Sequence, residues 1–201
     1  MAKKVLLIGT GSLGSVVADY LLQNTDWDLT LFSRSAGPRD VEDPSREKAV
    51  AGNVMDATDL NAVVKGQDAV FVALSGNLGQ MAKDVVKAMD KEGVKRLIFI
   101  SSMGIYNEIP AWGADGNLDN NPMLRPYREA ADVVEASDLD YTVIRPGWFD
   151  NRGDTNYEVT LKGQPFGGHD VSRTSIADLV MRLIEDPTLY AHESVGINRP
   201  M

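Results

Sequence analysis

The sequence contains no cysteine, which excludes disulfides, cysteine nucleophiles and thiolate metal sites. Histidine is nearly as scarce. Only His169 and His192 occur, isolated from each other, and no zinc centre or other metal site is expected from them. No apolar run reaches the roughly 18 residues of a membrane-spanning helix, and Met1-Ala2-Lys3-Lys4 leads directly into a strand pattern rather than a signal-peptide core. A soluble, cytoplasmic protein with no membrane partner is the expectation. Basic residues are in deficit, 20 Lys and Arg against 29 Asp and Glu, and the net charge of −9 argues against a nucleic-acid partner. With 201 residues and 43% hydrophobic content, the chain is long enough for one well-buried domain spanning 1–201. Two full domains are not expected, nor is any internal repeat or low-complexity segment present.

What is present begins at the N-terminus. Val5-Leu6-Leu7-Ile8 is a continuous apolar run of the kind a buried parallel strand requires. Gly9-Thr10-Gly11-Ser12-Leu13-Gly14 follows, opening into an apolar-periodic helix from about Ser12. This G-x-G-x-x-G is a dinucleotide-binding fingerprint in its proper context: Gly9 makes the turn, Gly11 lets backbone approach a pyrophosphate, and Gly14 lets the helix pack closely on the strand. The free N–H groups and positive end of the helix then face the phosphates.

Further along, Trp27–Phe32 alternates as a second strand and ends in Ser33-Arg34-Ser35. The residue just past this strand meets the adenosine ribose, where a carboxylate suits a 2′-hydroxyl and an arginine a 2′-phosphate. Arg34 in place of a carboxylate implies NADP(H) in preference to NAD(H). Residues 48–56 give a short third strand and a turn, with Thr58 or Asp59 expected to cap a helix to about Lys65. Asp68–Leu74 is a fourth strand, followed by Ser75-Gly76-Asn77 and a helix over about 78–92 whose Met81, Val85, Val86 and Met89 read as core. Val94–Ile100 is a fifth strand and Tyr141–Arg145 a sixth, with a helix over about 124–137 between them. The segments 107–123 and 149–169 read as irregular, 172–186 as an amphipathic helix, and 194–199 as an added edge strand. Strands alternating with helices predict an α/β fold, a single doubly wound Rossmann-type parallel sheet with helices on both faces, plus a small C-terminal substrate-side region.

Four segments carry a more specific resemblance: Val5–Gly14, Ser101-Ser102-Met103-Gly104-Ile105-Tyr106, Ser137–Gly147 (SDLDYTVIRPG) and Val171–Leu179 (VSRTSIADL). Together they resemble the NmrA-like, NAD(P)H-binding atypical short-chain dehydrogenase/reductases over nearly the whole chain. The resemblance implies a cofactor lying across the carboxyl edge of the sheet. It implies contacts from Gly9 to Gly14, from Ser33 and Arg34, from Asn53 and Val54, and from Ala73, Leu74 and Ser75. Ser101 and Ser102, then Pro146, Gly147, Trp148 and Phe149, complete the set. A small-molecule substrate would sit under the loops 103–123 and 148–169. Two departures stand out. The phosphate turn is one residue shorter than the family's G-x-x-G-x-x-G, and no Tyr-x-x-x-Lys pair exists, since Tyr127 is followed four residues on by Ala131 and Tyr106 by Pro110.

The residues left for chemistry are few. Ser102 is placed by the resemblance to hydrogen-bond an acceptor oxygen, or else to satisfy the strand end or touch cofactor alone. Tyr106 and Tyr127 are candidate proton donors, or packing and substrate contacts. His169 could pass a proton near neutral pH or lie at the surface. Trp112, Trp148 and Phe149 could form an aromatic wall for a flat substrate, although burial would also account for them. Asp154 and Glu158 read as a solvated face. The expected function is hydride transfer from NADP(H) to a small carbonyl, quinone or flavin-like acceptor, in a monomer or homodimer. The alternative is a non-catalytic NADP(H)-binding redox sensor or regulatory protein of the NmrA-like type. A nucleotide-sugar epimerase is disfavoured for want of a sizeable C-terminal substrate domain.

Overall fold

The computed structural model, which describes residues 1–201, is built around one eight-stranded sheet. In chain order the elements are β1 (Lys4–Ile8), α1 (Ser12–Asn24), β2 (Asp28–Ser33), β3 (Glu47–Ala51), α2 (Ala57–Val64) and β4 (Ala69–Val72). These are followed by α3 (Leu78–Glu92), β5 (Arg96–Ile100), α4 (Arg125–Glu135), β6 (Asp140–Pro146), β7 (Trp148–Asp150), β8 (Glu158–Leu161), β9 (Asp170–Ser172), α5 (Arg173–Glu185) and β10 (Glu193–Asn198). The strand order is β3-β2-β1-β4-β5-β6-β10-β8, parallel throughout except for β8, which runs antiparallel to β10 at one edge. This is the expected doubly wound α/β architecture.

The period of two along each strand divides the core. Leu6 and Ile8 of β1, Val70 and Val72 of β4, and Leu97 and Phe99 of β5 face one side, where Leu78, Ala82, Val85 and Met89 of α3 and Val134 of α4 cover them. Val5, Leu7, Ala69, Phe71, Ile98 and Ile100 face the other, against Leu13, Val17 and Leu21 of α1 and Ile176, Val180 and Leu183 of α5. Met89 is fully buried and Met81 packs at the margin, so the methionines of α3 serve as core. Chain direction around the sheet reverses between β1 and β4, and such a switch point opens a crevice at the carboxyl ends of the strands.

The structure departs from the sequence expectations in four places. Asp56, rather than Thr58 or Asp59, caps α2, its carboxylate accepting from the N–H groups of Thr58 and Asp59. The strand at 193–198 is not at the edge. β10 lies between β6 and β8, and the Cβ missing from Gly196 would come within 2.5 Å of Thr160 Oγ1, a closeness that interior packing requires. The stretch 149–169 is not wholly irregular, since it contributes β8 to the sheet, while β7 and β9 pair in parallel as a separate ribbon. Finally, Asp154 and Glu158 lie at the surface as expected, Glu158 exposed and Asp154 partly so, but they are not free: Asp154 pairs with Arg199 at 2.7 Å, and the Glu158 carboxylate accepts from Asn198 Nδ2 at 2.9 Å.

Candidate functional site

The Gly9–Gly14 turn joins β1 to α1 at the switch point, and its three glycines have three different environments. Gly9 has φ +104°, and a Cβ there would lie 2.1 Å from the Ala73 carbonyl oxygen at the end of β4. A Cβ on Gly14 would lie 2.0 Å from the Gly9 carbonyl oxygen, so the helix rests on its own turn. Around Gly11 there is nothing within 4 Å of an added Cβ, and the residue is exposed. The first two glycines serve the protein's own packing; the third leaves space above the backbone. Gly11 also stands at the N-cap of α1 without a side chain to cap the helix, so the first-turn N–H groups are presented outward. An anion fits that cradle. The Leu13 side chain is buried in the core, which leaves its backbone to face the turn.

The other wall of the crevice beside the turn is built at the end of β2. Thr10 Oγ1 and Ser33 Oγ lie 2.8 Å apart, tying the phosphate turn to the segment that presents the exposed Arg34. A cavity of about 130 Å³ beside the turn is lined by Thr10, Gly14, Ser15 and Arg39 together with the carboxylates of Asp19, Asp40 and Glu42. Arg39 was not anticipated, although its place five residues past Arg34, after a Gly-Pro turn, is a readable signal. Asn53 is exposed beyond β3, whereas Val54 turns its side chain into the core and has only its backbone to offer. Ala73 and Leu74 are half-buried at the end of β4, and Ser75 is exposed.

On the other half of the crevice, β5 ends in Ser101 and Ser102. Ser101 Oγ donates to the Tyr127 carbonyl oxygen at 3.2 Å, which pins the first turn of α4 to the strand end and brings Tyr127 to the carboxyl edge. Ser102 Oγ donates to the Met103 carbonyl oxygen at 3.0 Å. Tyr106 is directed elsewhere. Its hydroxyl donates to the Glu135 carboxylate and lies 3.0 Å from Ser194 Oγ, and burial, with Glu135 beside it, pushes its pKa well above the usual tyrosine value. The guanidiniums of Arg128 and Arg145 and the Lys162 ammonium flank its ring, Lys162 Nζ lying 4.3 Å from the centroid. A tyrosine whose proton is held this firmly is a fixed strut at neutral pH.

Beneath Tyr106 lies a pair that sequence reading missed. Arg145 Nη1 and Glu108 Oε1 approach to 2.6 Å, with side chains only 1% and 5% exposed. Glu108 also accepts from the N–H groups of Gly104 and Tyr106 at 2.9 Å each, and Arg145 donates to both oxygens of Ser194. Every charge is partnered, so the start of the 103–123 loop is held rigidly under β6. The second loop is stitched to the first: Phe166 N–H donates to the Glu108 carbonyl, and Met103, Ile109 and Phe166 form a small apolar cluster. Between them runs a groove of about 410 Å³ bordered by Tyr106–Pro110 and Gly163–Pro165.

The aromatic candidates fall into two groups. Trp148 is 73% exposed and Phe149 38%, at the start of the β7 ribbon just past β6. The rings of Trp112 and His169 meet with centroids 4.0 Å apart and planes tilted by 53°, linking the two loops. Pro146 is the last residue of β6, and at Gly147 a Cβ would meet the His169 carbonyl at 2.6 Å.

A sequence model of the NAD(P)H-binding family matches residues 9–187. A Bacillus subtilis (strain 168) protein described as an uncharacterized sugar epimerase, YhfK, is 30% identical over 196 residues, covering 88% of this chain and 87% of its own. Among solved structures, a Rossmann-fold NAD(P)-binding family protein from Shigella flexneri is 34% identical with a TM-score of 0.84, covering 100% of this chain and 95% of that one. A short-chain dehydrogenase/reductase from Veillonella parvula, solved in complex with NADP, is 26% identical with a TM-score of 0.90, covering 100% and 96%.

Proposed function

The chain belongs to the NAD(P)H-binding family, and from that premise we propose that it is an NADP-preferring oxidoreductase that passes hydride to a small carbonyl, quinone or flavin-like acceptor, the whole of 1–201 acting as one unit. The observation that carries the reading is the pairing of the open Gly11 cradle and uncapped α1 with Arg34, held beside them through Thr10 and Ser33.

NADPH, when bound, supplies the hydride at its nicotinamide ring. The protein's part is binding, orientation and charge stabilisation. Backbone N–H groups of Ser12, Leu13 and Gly14 would hold phosphate, and Arg34 would pair with the 2′-phosphate. The ends of β3 and β4 flank the adenine and ribose through Asn53, Val54, Ala73, Leu74 and Ser75. Ser101 fixes the strand end and the Tyr127 turn, and Ser102 and Tyr127 are the residues assigned to an acceptor oxygen. Pro146 to Phe149, with Trp112 and His169, form the wall of the acceptor site.

One observation favours a second reading, a regulatory protein of the NmrA-like type that binds NADP(H) without turnover. Tyr106 is tied to Glu135 with its proton firmly held, and no lysine stands four residues after either tyrosine. Stopped-flow loss of NADPH absorbance against a panel of quinones, flavins and aldehydes separates the two. Turnover with any of these acceptors supports the enzyme. No turnover, together with tight but unequal binding of the oxidised and reduced cofactor, supports the sensor.

A further inference from the structure

Arg173 is the first residue of α5, and its guanidinium stands where a cation is electrostatically misplaced. Nη2 donates to Ser12 Oγ at 3.3 Å, at the N-terminus of α1, and Nη1 donates to Asn151 Oδ1 at 3.0 Å. Its own helix also begins here. Two positive helix ends thus converge on a positive side chain, an arrangement that disfavours the charge. Neither of its partners carries a charge, and no carboxylate pairs with it. Its Nε is buried and donates to nothing, a deficit that native structures avoid unless the group has another use. The position is nevertheless built with care. Ser172 caps α5 by accepting from the Ser175 N–H, and both hydroxyls donate to the Asp154 carbonyl at 2.5 and 2.8 Å, fixing the backbone from which Arg173 projects. The Phe149 ring packs on the guanidinium face, 5.1 Å from centroid to Cζ.

These features share one explanation: an anion belongs between the two helix ends. We infer that Arg173 is a cofactor-binding residue that pairs with the diphosphate of NADP(H) over the α1 turn. Its links to Phe149 and Asn151 then tie an occupied phosphate site to the loop at 148–154. This rests on the reading of the site as a dinucleotide site, and it differs from the role of Arg34 in a checkable way. Arg34 addresses the 2′-phosphate alone, whereas Arg173 addresses what NADPH and NADH have in common.

Calorimetric titration of wild type, Arg173→Ala and Arg173→Lys with NADPH, NADH and 2′-AMP tests the assignment. Loss of one charge-assisted contact weakens binding by about 10-fold or more. Arg173→Ala is expected to weaken both dinucleotides by about that factor and to leave 2′-AMP, which has no diphosphate, within about 2-fold; Arg173→Lys recovers part of the loss. A merely structural role would lower the affinity for 2′-AMP in parallel, and that outcome overturns the inference. So does an Arg173→Ala variant that binds NADPH as wild type does. Wild-type protein that binds neither dinucleotide would remove the underlying cofactor reading instead, a result distinct from either of these.

Discussion

The hydroxyls of Thr10 and Ser33 lie 2.8 Å apart, which makes the phosphate turn and the end of β2 one mechanical unit. Arg34, next in sequence and exposed, inherits its position from that contact. Arg34→Ala should therefore weaken NADPH binding by about 10-fold or more and leave NADH within about 2-fold, because only NADPH loses a charge-assisted phosphate contact. Fluorescence titration with both cofactors measures the ratio. Equal losses for the two would remove the argument for NADP preference.

The glycines of the turn divide by their surroundings. Gly14→Ala forces a Cβ to 2.0 Å from the Gly9 carbonyl, and Gly9→Ala does the same against Ala73 at 2.1 Å from a backbone of φ +104°. Each should cost about 1–3 kcal/mol from overpacking, with conformational strain added at Gly9. Gly11→Ala meets nothing within 4 Å and should unfold at the wild-type denaturant midpoint while losing most of its NADPH affinity. A loss of stability at Gly11 as large as that at Gly14 would contradict the assignment of its open space to a ligand.

Legibility of the chain followed the range of the interactions. α3, at Leu78–Glu92, and α1, at Ser12–Asn24, stand where apolar spacing put them, because helical periodicity is written in local sequence. β1, β4, β5 and β6 were readable as apolar runs and β2 from its alternation, for the same reason, and β3 only as a short strand before a turn. β7, β8 and β9 were not. β7 and β8 are largely exposed and β9 is only three residues long, so none carries a pattern of its own; they are strands because Trp148 meets Asp170 and Val159 meets Ile197, pairings set by tertiary contact. The phosphate turn was legible because Gly spacing is a local code. The Glu108–Arg145 pair joins residues 37 apart, and Arg173 acquires its oddity from a helix end 161 residues away; nothing near either in sequence announces it.

That buried pair yields a stability prediction. Arg145→Met leaves Glu108 charged, 5% exposed and without its cation, which should cost about 3–5 kcal/mol. Adding Glu108→Gln removes the stranded charge and should restore a large part of it. Urea denaturation of the two single variants and the double variant gives the coupling. Simple additivity of the single effects would show that the pair is not acting as one unit.

The last prediction concerns alkali. Tyr20 and Tyr157 both donate to the Asp178 carboxylate, at 2.9 and 2.7 Å, and burial followed by that hydrogen bond pushes each pKa up to about 12. In the unfolded chain a tyrosine titrates near 10, so the unfolded state gives up these protons first as pH rises. Folding stability is then fully present below about pH 10, declines as pH climbs, and has lost this contribution above about pH 12. Tyr106, also raised, adds to the same trend. Spectrophotometric titration should find these tyrosines ionising late in native protein and normally in urea. Asp178→Asn removes the charge that opposes tyrosinate at positions 20 and 157 alone, so it should shift the late phase for those two downward and leave Tyr106 in place. A native titration curve that superimposes on the denatured one would refute the account.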